Sequence, residues 1–445
     1  MPGKRPINAD LPSAQAETEP HPTPAPATKR QPKRRRRPVP AALKAIAGLV
    51  AVAVVFLVAA VLGGGGSNED APEPAPAPTQ TAPETAAAEA ETPAAEAAEE
   101  LGYPSFATNN TTRVGGSDAA AIAAAVTLAV FPSATAEQRP ASVSIVDEDD
   151  WQGAIAASVL MAEPLRSPLL VSAGGDLPEP TEQALAALAP AGSGAAGGTQ
   201  AFVVGDAATP GELMTHRIDA DGAAALAASI AAERDKLFDG PPAHFVLAPE
   251  AKPEFAVPAA AWAARSGDPV LFSGAEKLPP ATARALRAHP KAPVYVLGPS
   301  SAISSAVVRE IAEVGGRVRR VGGEDPVANA IALARYGGGD FGWNVNDPGH
   351  GFVVARSDAP LAAAVASPLS ASGTWGPLLL TDDAGTLPTA LREYLLDVKP
   401  GYTTDPTRAF YNHVWVIGDQ EAIDVNQQAE IDQLAELAKI GGTEP

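Results

Sequence analysis

Four arginines, Arg309, Arg317, Arg319 and Arg320, crowd into residues 309–320 of a chain whose formal net charge is −20. A guanidinium is a planar fork of N–H donors that fits a phosphate or carboxylate two bonds at a time. Arginines concentrated in an acidic body are therefore the first place to look for an anion site. The plainer alternative is a charged strand edge balanced by Glu310, Glu313 and Glu324. Arg320 also belongs to a second pattern. It heads the hexapeptide RVGGED (320–325), and RVGGSD (113–118) and a degraded RIDADG (217–222) put Arg113 and Arg217 in the same place. Such even spacing, of about 103 residues, marks a duplicated unit. The candidate anion ligands are thus Arg113, Arg217, Arg309, Arg317, Arg319 and Arg320. For the three that recur, a structural role shared by every copy is the competing expectation.

Other chemistry is sparse. The chain has no cysteine, which removes disulfides, thiolate metal sites and thiol nucleophiles together. It has no phosphate-binding G-x-x-x-x-G-K-[ST] loop, no G-x-S-x-G elbow, no H-E-x-x-H and no S-x-x-K. The six histidines are scattered; His244 and His350 open early strands and His413 a later one, where packing or solvation is expected rather than a metal. The acidic run DEDD (147–150) could hold a cation, but its counterparts PEAKPEF and RSDAP do not repeat it. A solvated loop whose last aspartate caps the helix starting at Trp151 is expected instead. Ser300 and Ser301 read as a polar turn capping a helix over 303–315. No enzyme activity, cofactor or metal is expected.

The elements that must position these residues form four regions. Residues 1–44 carry ten Lys/Arg against three acids, and residues 45–62 are uncharged and predominantly apolar. At 1.5 Å per residue that run spans ~27 Å, close to a bilayer core. The basic flank predicts a single-pass membrane helix with its N-terminus in the cytoplasm. Residues 63–105 are rich in Ala, Pro and Glu and predict an extended, disordered stalk. The acidic remainder argues against nucleic-acid binding.

Behind each arginine hexapeptide the same order of elements returns. An Ala-rich helix (119–130, 223–233, 326–336) precedes a β-prone run, SVSIV, HFVLA or GFVVA. A second helix leads to a proline-led strand, SPLLVS, DPVLFS or GPLLLT. A Leu-Pro pair then opens a helix, proline being tolerated at the first helical position. A third strand, AFVVGD, VYVLGP or VWVIGD, ends each unit. Continuous apolar strands alternating with helices predict parallel βαβ units covered on both faces. The expected fold class is α/β, as three tandem modules over 106–216, 217–319 and 320–445.

This pattern, R-[VI]-x-G-x-D, Ala-rich helix, strand, x-P-[LV]-L-[LVF]-[ST], L-P and V-[VIL]-G, resembles the cell wall-binding repeat 2 family over residues 112–438. The family's Arg-Tyr pair at the helix entry is absent from GSDAAAIAA, DGAAALAA and EDPVANAIA. The resemblance implies three α/β modules in a pseudo-three-fold arrangement. It also implies non-covalent retention on anionic cell-wall glycopolymer or peptidoglycan. The function expected is a membrane-anchored, non-catalytic wall-associated protein outside the cell. The alternative is an envelope scaffold whose repeats bind other proteins.

Overall fold

A computed structural model describes residues 106–314, 316–373 and 375–440. The expected cytoplasmic tail, membrane helix and stalk lie outside the described residues. Among the described residues no helix is long and apolar enough to cross a membrane.

Short runs of Val, Ile, Leu and Phe make most of the strands, which helices cover on both faces, so that Leu169–Ser172, Ala201–Val204 and Val294–Leu297 are buried at every position. The outer arginine strands Thr215–Ile218 and Val318–Val321 are mostly half-buried or exposed. The chain enters through β1 (Phe106–Ala107) and β2 (Thr111–Val114), then helix α1 (Ala119–Val130). The first sheet follows: β3 (Val143–Asp147), α2 (Trp151–Ala157), β4 (Leu169–Ser172), α3 (Glu179–Leu188), β5 (Ala201–Val204) and β6 (Thr215–Ile218). Helix α4 (Ala223–Leu237) leads to β7 (Phe245–Pro249), α5 (Pro253–Ala256), α6 (Pro258–Ser266), β8 (Val270–Ser273), α7 (Pro280–Ala288), β9 (Val294–Leu297), α8 (Ser305–Val314) and β10 (Val318–Val321). Helix α9 (Pro326–Arg335) opens the last stretch: β11 (Gly351–Arg356), α10 (Pro360–Val365), α11 (Ser367–Ala371), β12 (Leu378–Thr381), α12 (Thr389–Asp397), β13 (Gly401–Tyr402), β14 (His413–Ile417), α13 (Val425–Ala435) and β15 (Ala438–Lys439).

Three sheets share one order. They run β4-β3-β5-β6, β8-β7-β9-β10 and β12-β11-β14-β2, all parallel, with β1 antiparallel on the outside of β2. The fourth place in each is taken by an arginine strand. The hexapeptides are therefore strand ends as well as turns, and Arg217 and Arg320 each join the sheet formed by the preceding segment. The boundaries expected at 216/217 and 319/320 fall inside β6 and β10. In the third sheet the fourth place is taken by β2, from the start of the body: Thr111 stands opposite Val414 and Arg113 opposite Val416.

The aspartate of the hexapeptide has a separate task. Asp118 Oδ1 accepts from the backbone N–H of Ala121 at 2.9 Å, and Asp325 Oδ1 from that of Ala328 at 2.8 Å. Each caps the helix it precedes. In RIDADG that position is Gly222, and α4 starts without a side-chain cap. The Leu-Pro prolines 178, 279 and 388 stand one place earlier than expected, as N-caps.

Helices α2, α6, α10 and α11 each follow the first strand of a sheet, and they pack on one another. Alanine makes the close approach possible: Ala154, Ala156, Ala157, the run Ala259 to Ala264 apart from Trp262, and Ala363 to Ala366 are all buried. Ser367 Oγ meets Ser158 Oγ at 3.1 Å inside this packing. One apolar cluster runs from Val114 through Leu247 to Ala435 and takes in residues of all three sheets, and a second, around Val143, Ile145, Leu170 and Val203, lies on the first sheet.

Candidate functional site

Strand β10 sorts the arginines. Side chains along a strand alternate between faces. Arg317, just before β10, and Arg319 fall on one side; Arg320 falls on the other. Arg317 and Arg319, both exposed, line a cleft of about 400 Å³ with His244, Pro293, Tyr295 and the turn Gly338–Asp340. The cleft lies where β7, β9 and β10 begin. Among the described residues no carboxylate lies within ion-pair distance of either arginine. Among the described residues Arg319 Nη1 has only the Tyr336 hydroxyl as a partner, at 3.4 Å.

The floor is aromatic. Tyr295 stacks flat on Phe341 with ring centroids 3.6 Å apart, and Trp262 and Tyr336 pack against Phe341 from other sides. Burial pushes the Tyr295 phenol above its ordinary value, and the charges of Arg319 and Arg317 only partly oppose this. The phenol therefore stays neutral and keeps a hydrogen to donate. His244 sits edge-on to both Tyr295 and Phe341. Its backbone N–H and its Nδ1 both meet Asp268, at 3.0 and 3.1 Å. Asp268 is 2% exposed and also accepts from Trp262 Nε1 at 2.9 Å.

The other candidates do different work. Arg113 was expected as an anion ligand, yet it is 1% exposed. It donates to the carbonyls of Gly418 (2.9 Å), Asp419 (2.6 Å) and Ile423 (2.6 Å). Arg320 donates to the carbonyls of Gly298, Pro299 and Ile303, and Arg217 to those of Gly205 and Ala207 and to Thr209 Oγ1. In each case the arginine strand pins the loop that leaves the third strand of its sheet, satisfying carbonyls with no strand partner. Burial lowers the proton affinity of Arg113 and Arg320. Arg309 is exposed on α8 and does not line the cleft.

The acidic run behaves as a cap. Asp150 Oδ1 accepts from Gly153 N at 2.7 Å, and among the described residues no group of His, Asp and Glu is gathered as for a metal. Helix α8 begins at Ser305, and it is Ser304 Oγ that faces the backbone N–H of Val307, at 3.5 Å, in place of the expected Ser300-Ser301 cap.

A larger cleft, about 480 Å³, went unseen in the sequence. It opens at the carboxyl ends of β2, β11 and β14, lined by Asp118, Glu148, Asp149, Trp151, Arg356 and Asp419. It lies between β11 and β14, where the strand order reverses and α/β sheets commonly bind ligands. Its one arginine is held bidentately by Asp358, at 3.0 and 2.6 Å. The wall is acidic, so an anion is disfavoured there. Asp268, Tyr295 and Phe341 were equally silent, because nothing local in the sequence marks a residue that meets its partners through folding.

No family model matches the chain, and no curated protein does. Solved structures do. Cwp6 from Clostridium difficile is 18% identical with a TM-score of 0.58, covering 73% of this chain and 47% of that one. Cwp8 from Clostridium difficile is 16% identical with a TM-score of 0.55, covering 74% of this chain and 52% of that one. The chain thus spans about half the length of the solved chains it matches. At these identities the likeness is one of fold: a body of parallel-sheet α/β modules built as theirs are.

Proposed function

We propose that this chain is a membrane-anchored, non-catalytic protein of the cell wall that holds an anionic wall polymer or peptidoglycan. The observation that carries the reading is the pair Arg317 and Arg319. Both stand exposed at an aromatic-floored cleft, with no carboxylate within ion-pair distance among the described residues, in a chain of net charge −20. Leaving two guanidinium groups unpaired there makes physical sense if an external anion completes them. The floor of Tyr295 adds a flat face and a neutral hydroxyl, as sugar-phosphate chains require. The fold likeness to Cwp6 and Cwp8, which are cell wall proteins, supports the wall assignment. The shared strand order of the three sheets supports a triplicated unit with pseudo-three-fold packing. The basic tail and apolar run before residue 63 supply the anchor in this reading.

The test is sedimentation of residues 106–445 with isolated wall across a salt series, before and after the anionic polymers are stripped. Binding lost with salt and with stripping is expected. A folded body that fails to bind at any salt would overturn the polymer reading and leave a protein-binding envelope scaffold.

A further inference from the structure

Within the basic cleft, one residue is set up to respond when an anion arrives. His244 has its Nδ1 on Asp268 Oδ2 at 3.1 Å, and Asp268 is 2% exposed, also bonded to the backbone N–H of His244 and to Trp262 Nε1. A carboxylate this enclosed and this well anchored orients the ring and takes up the hydrogen on Nδ1, so a neutral imidazole here presents a bare Nε2. Among the described residues Nε2 has no hydrogen-bond partner, and it is not among the buried atoms left without one. His244 itself lines the cleft. Its second nitrogen is therefore open to what the cleft holds.

Asp268, between α6 and β8, favours the imidazolium. Arg317 and Arg319, on the β10 side, disfavour it. Asp340, from the turn after α9, lies at the cleft, and the phenols of Tyr295 on β9 and of Tyr336, just past α9, stand nearby. Without an anion, the two guanidinium charges oppose protonation, while the buried Asp268 and the cleft-lining Asp340 support it. A sulfate or phosphate group held by Arg317 and Arg319 cancels the opposing charge. It also offers an acceptor to Nε2, which only the protonated ring can donate to.

We infer that His244 is a proton-linked third ligand of the cleft: an oxyanion bound by Arg317 and Arg319 draws a proton onto Nε2, backed by Asp268 through Nδ1. This rests on the anion-binding reading of the same cleft. Binding is then tighter in acid, and by linkage the anion and the proton strengthen one another equally.

The experiment is calorimetric titration of the full-length chain in detergent micelles with inorganic sulfate, a probe whose own charge is constant over the interval. It is run at about pH 5.5 and about pH 8, either side of the range in which histidine changes charge. Buffers of different ionisation heat report protons taken up. The cleft's share of binding is the part lost in Arg317→Gln/Arg319→Gln, which also subtracts any contribution of the basic tail. For that share the expected result is affinity about tenfold higher in acid, at the lower end of known couplings, with proton uptake on binding. His244→Gln should remove the pH dependence and the proton uptake, and lower the affinity in acid to the weaker level that Arg317 and Arg319 supply alone. Asp268→Asn should shrink the pH dependence while leaving Arg317 and Arg319 untouched. Proton uptake is read on the unaltered chain, so a variant that misfolds does not spoil the test. If the double arginine variant binds sulfate as the parent does, the cleft is no anion site and the proposed function loses its carrier. If cleft binding is present but draws no proton, or keeps its pH dependence in a folded His244→Gln variant, this inference falls and the anion reading stands.

Discussion

Arg113 Nε donates to Gln428 Oε1 at 3.0 Å, both side chains buried, across 315 residues of chain. Gln428 in turn donates to Thr111 Oγ1 at 2.9 Å. The second strand of the body is thereby fastened to its last long helix. This contact closes the third sheet, whose fourth parallel strand comes from the start of the body. The same guanidinium carries three carbonyls of the loop after β14, so a single side chain ties strand, loop and helix together.

Replacing Arg113 by alanine should cost about 3 kcal/mol or more, because buried acceptors lose a charged donor and gain no water. Arg113→Lys should recover only part of it, since one ammonium cannot reach carbonyls on different sides. Arg217→Ala should cost less, about 1 kcal/mol, because its side chain is exposed and water can replace it. Urea denaturation of the three variants, compared at matched slope, checks the order.

His413 opens β14 beside this closure. Burial holds its imidazole below the ordinary histidine value, and the Asp432 carboxylate opposes this only in part. The folded chain thus prefers the neutral ring. That preference is fully present above the ordinary value of about 6.5 and is lost as pH falls from there through the lowered folded value. Thermal stability should therefore decline in mild acid, and His413→Gln should flatten that decline. A melting-temperature series against pH decides it; an unchanged slope in the variant would count against the assignment.

Asp150 gives the opposite sign. Desolvation raises its carboxyl above the ordinary value, with Asp147 and Asp206 adding to it, and the Gly153 N–H opposes. A raised carboxyl stabilises the fold when protonated, and that gain is lost as pH rises through the folded value. Asp150→Asn keeps the cap, since asparagine serves there as well, and removes the charge. The melting temperature should rise by a few degrees at neutral pH and be unchanged at about pH 3, below the ordinary carboxyl range.

Asn329, fully buried on α9, accepts from Gly298 N at 3.0 Å and donates to the Phe255 carbonyl at 3.1 Å. Gly322 leaves room for it: a Cβ there would lie 2.7 Å from Asn329 Oδ1 and from Gly298 N. Asn329→Ala should cost about 2 to 3 kcal/mol, the price of two unpaired buried groups. Gly322→Ala should be destabilising for the steric reason alone, which differential scanning calorimetry of both variants can compare.

For wall binding, Arg317→Gln/Arg319→Gln should lower affinity at least tenfold at about 0.1 M salt, a loss that shrinks as salt screens the parent. Arg309→Gln should leave affinity within about twofold, as isolated surface charges usually do. Cosedimentation with wall at several salt concentrations separates the two. Equal losses would mean diffuse electrostatics in place of a site.

The sequence by itself determined what depends on near neighbours. Apolar runs such as VYVL and LLVS became strands at nearly the residues expected, because a parallel strand covered on both faces needs that unbroken pattern. Helix α1 runs over 119–130 as its alanines imply, started by the hexapeptide's own aspartate. The recurrence of Arg113, Arg217 and Arg320 was legible too, and so was a structural task for them, though not what that task is. Tertiary structure decided the rest. The sheet to which an arginine strand belongs is set by parallel pairing, which joins segments far apart, so β2 could be placed on β14 only once the chain had closed. The split between Arg319 and Arg320 required knowing that residues 318–321 are a strand; a turn, as the glycines suggest, has no alternating faces. The cleft drew Tyr295, Phe341 and the His244–Asp268 pair from four separate elements, and burial, which gives Asp268 its hold on the ring, is a property of the packed molecule and of no segment alone.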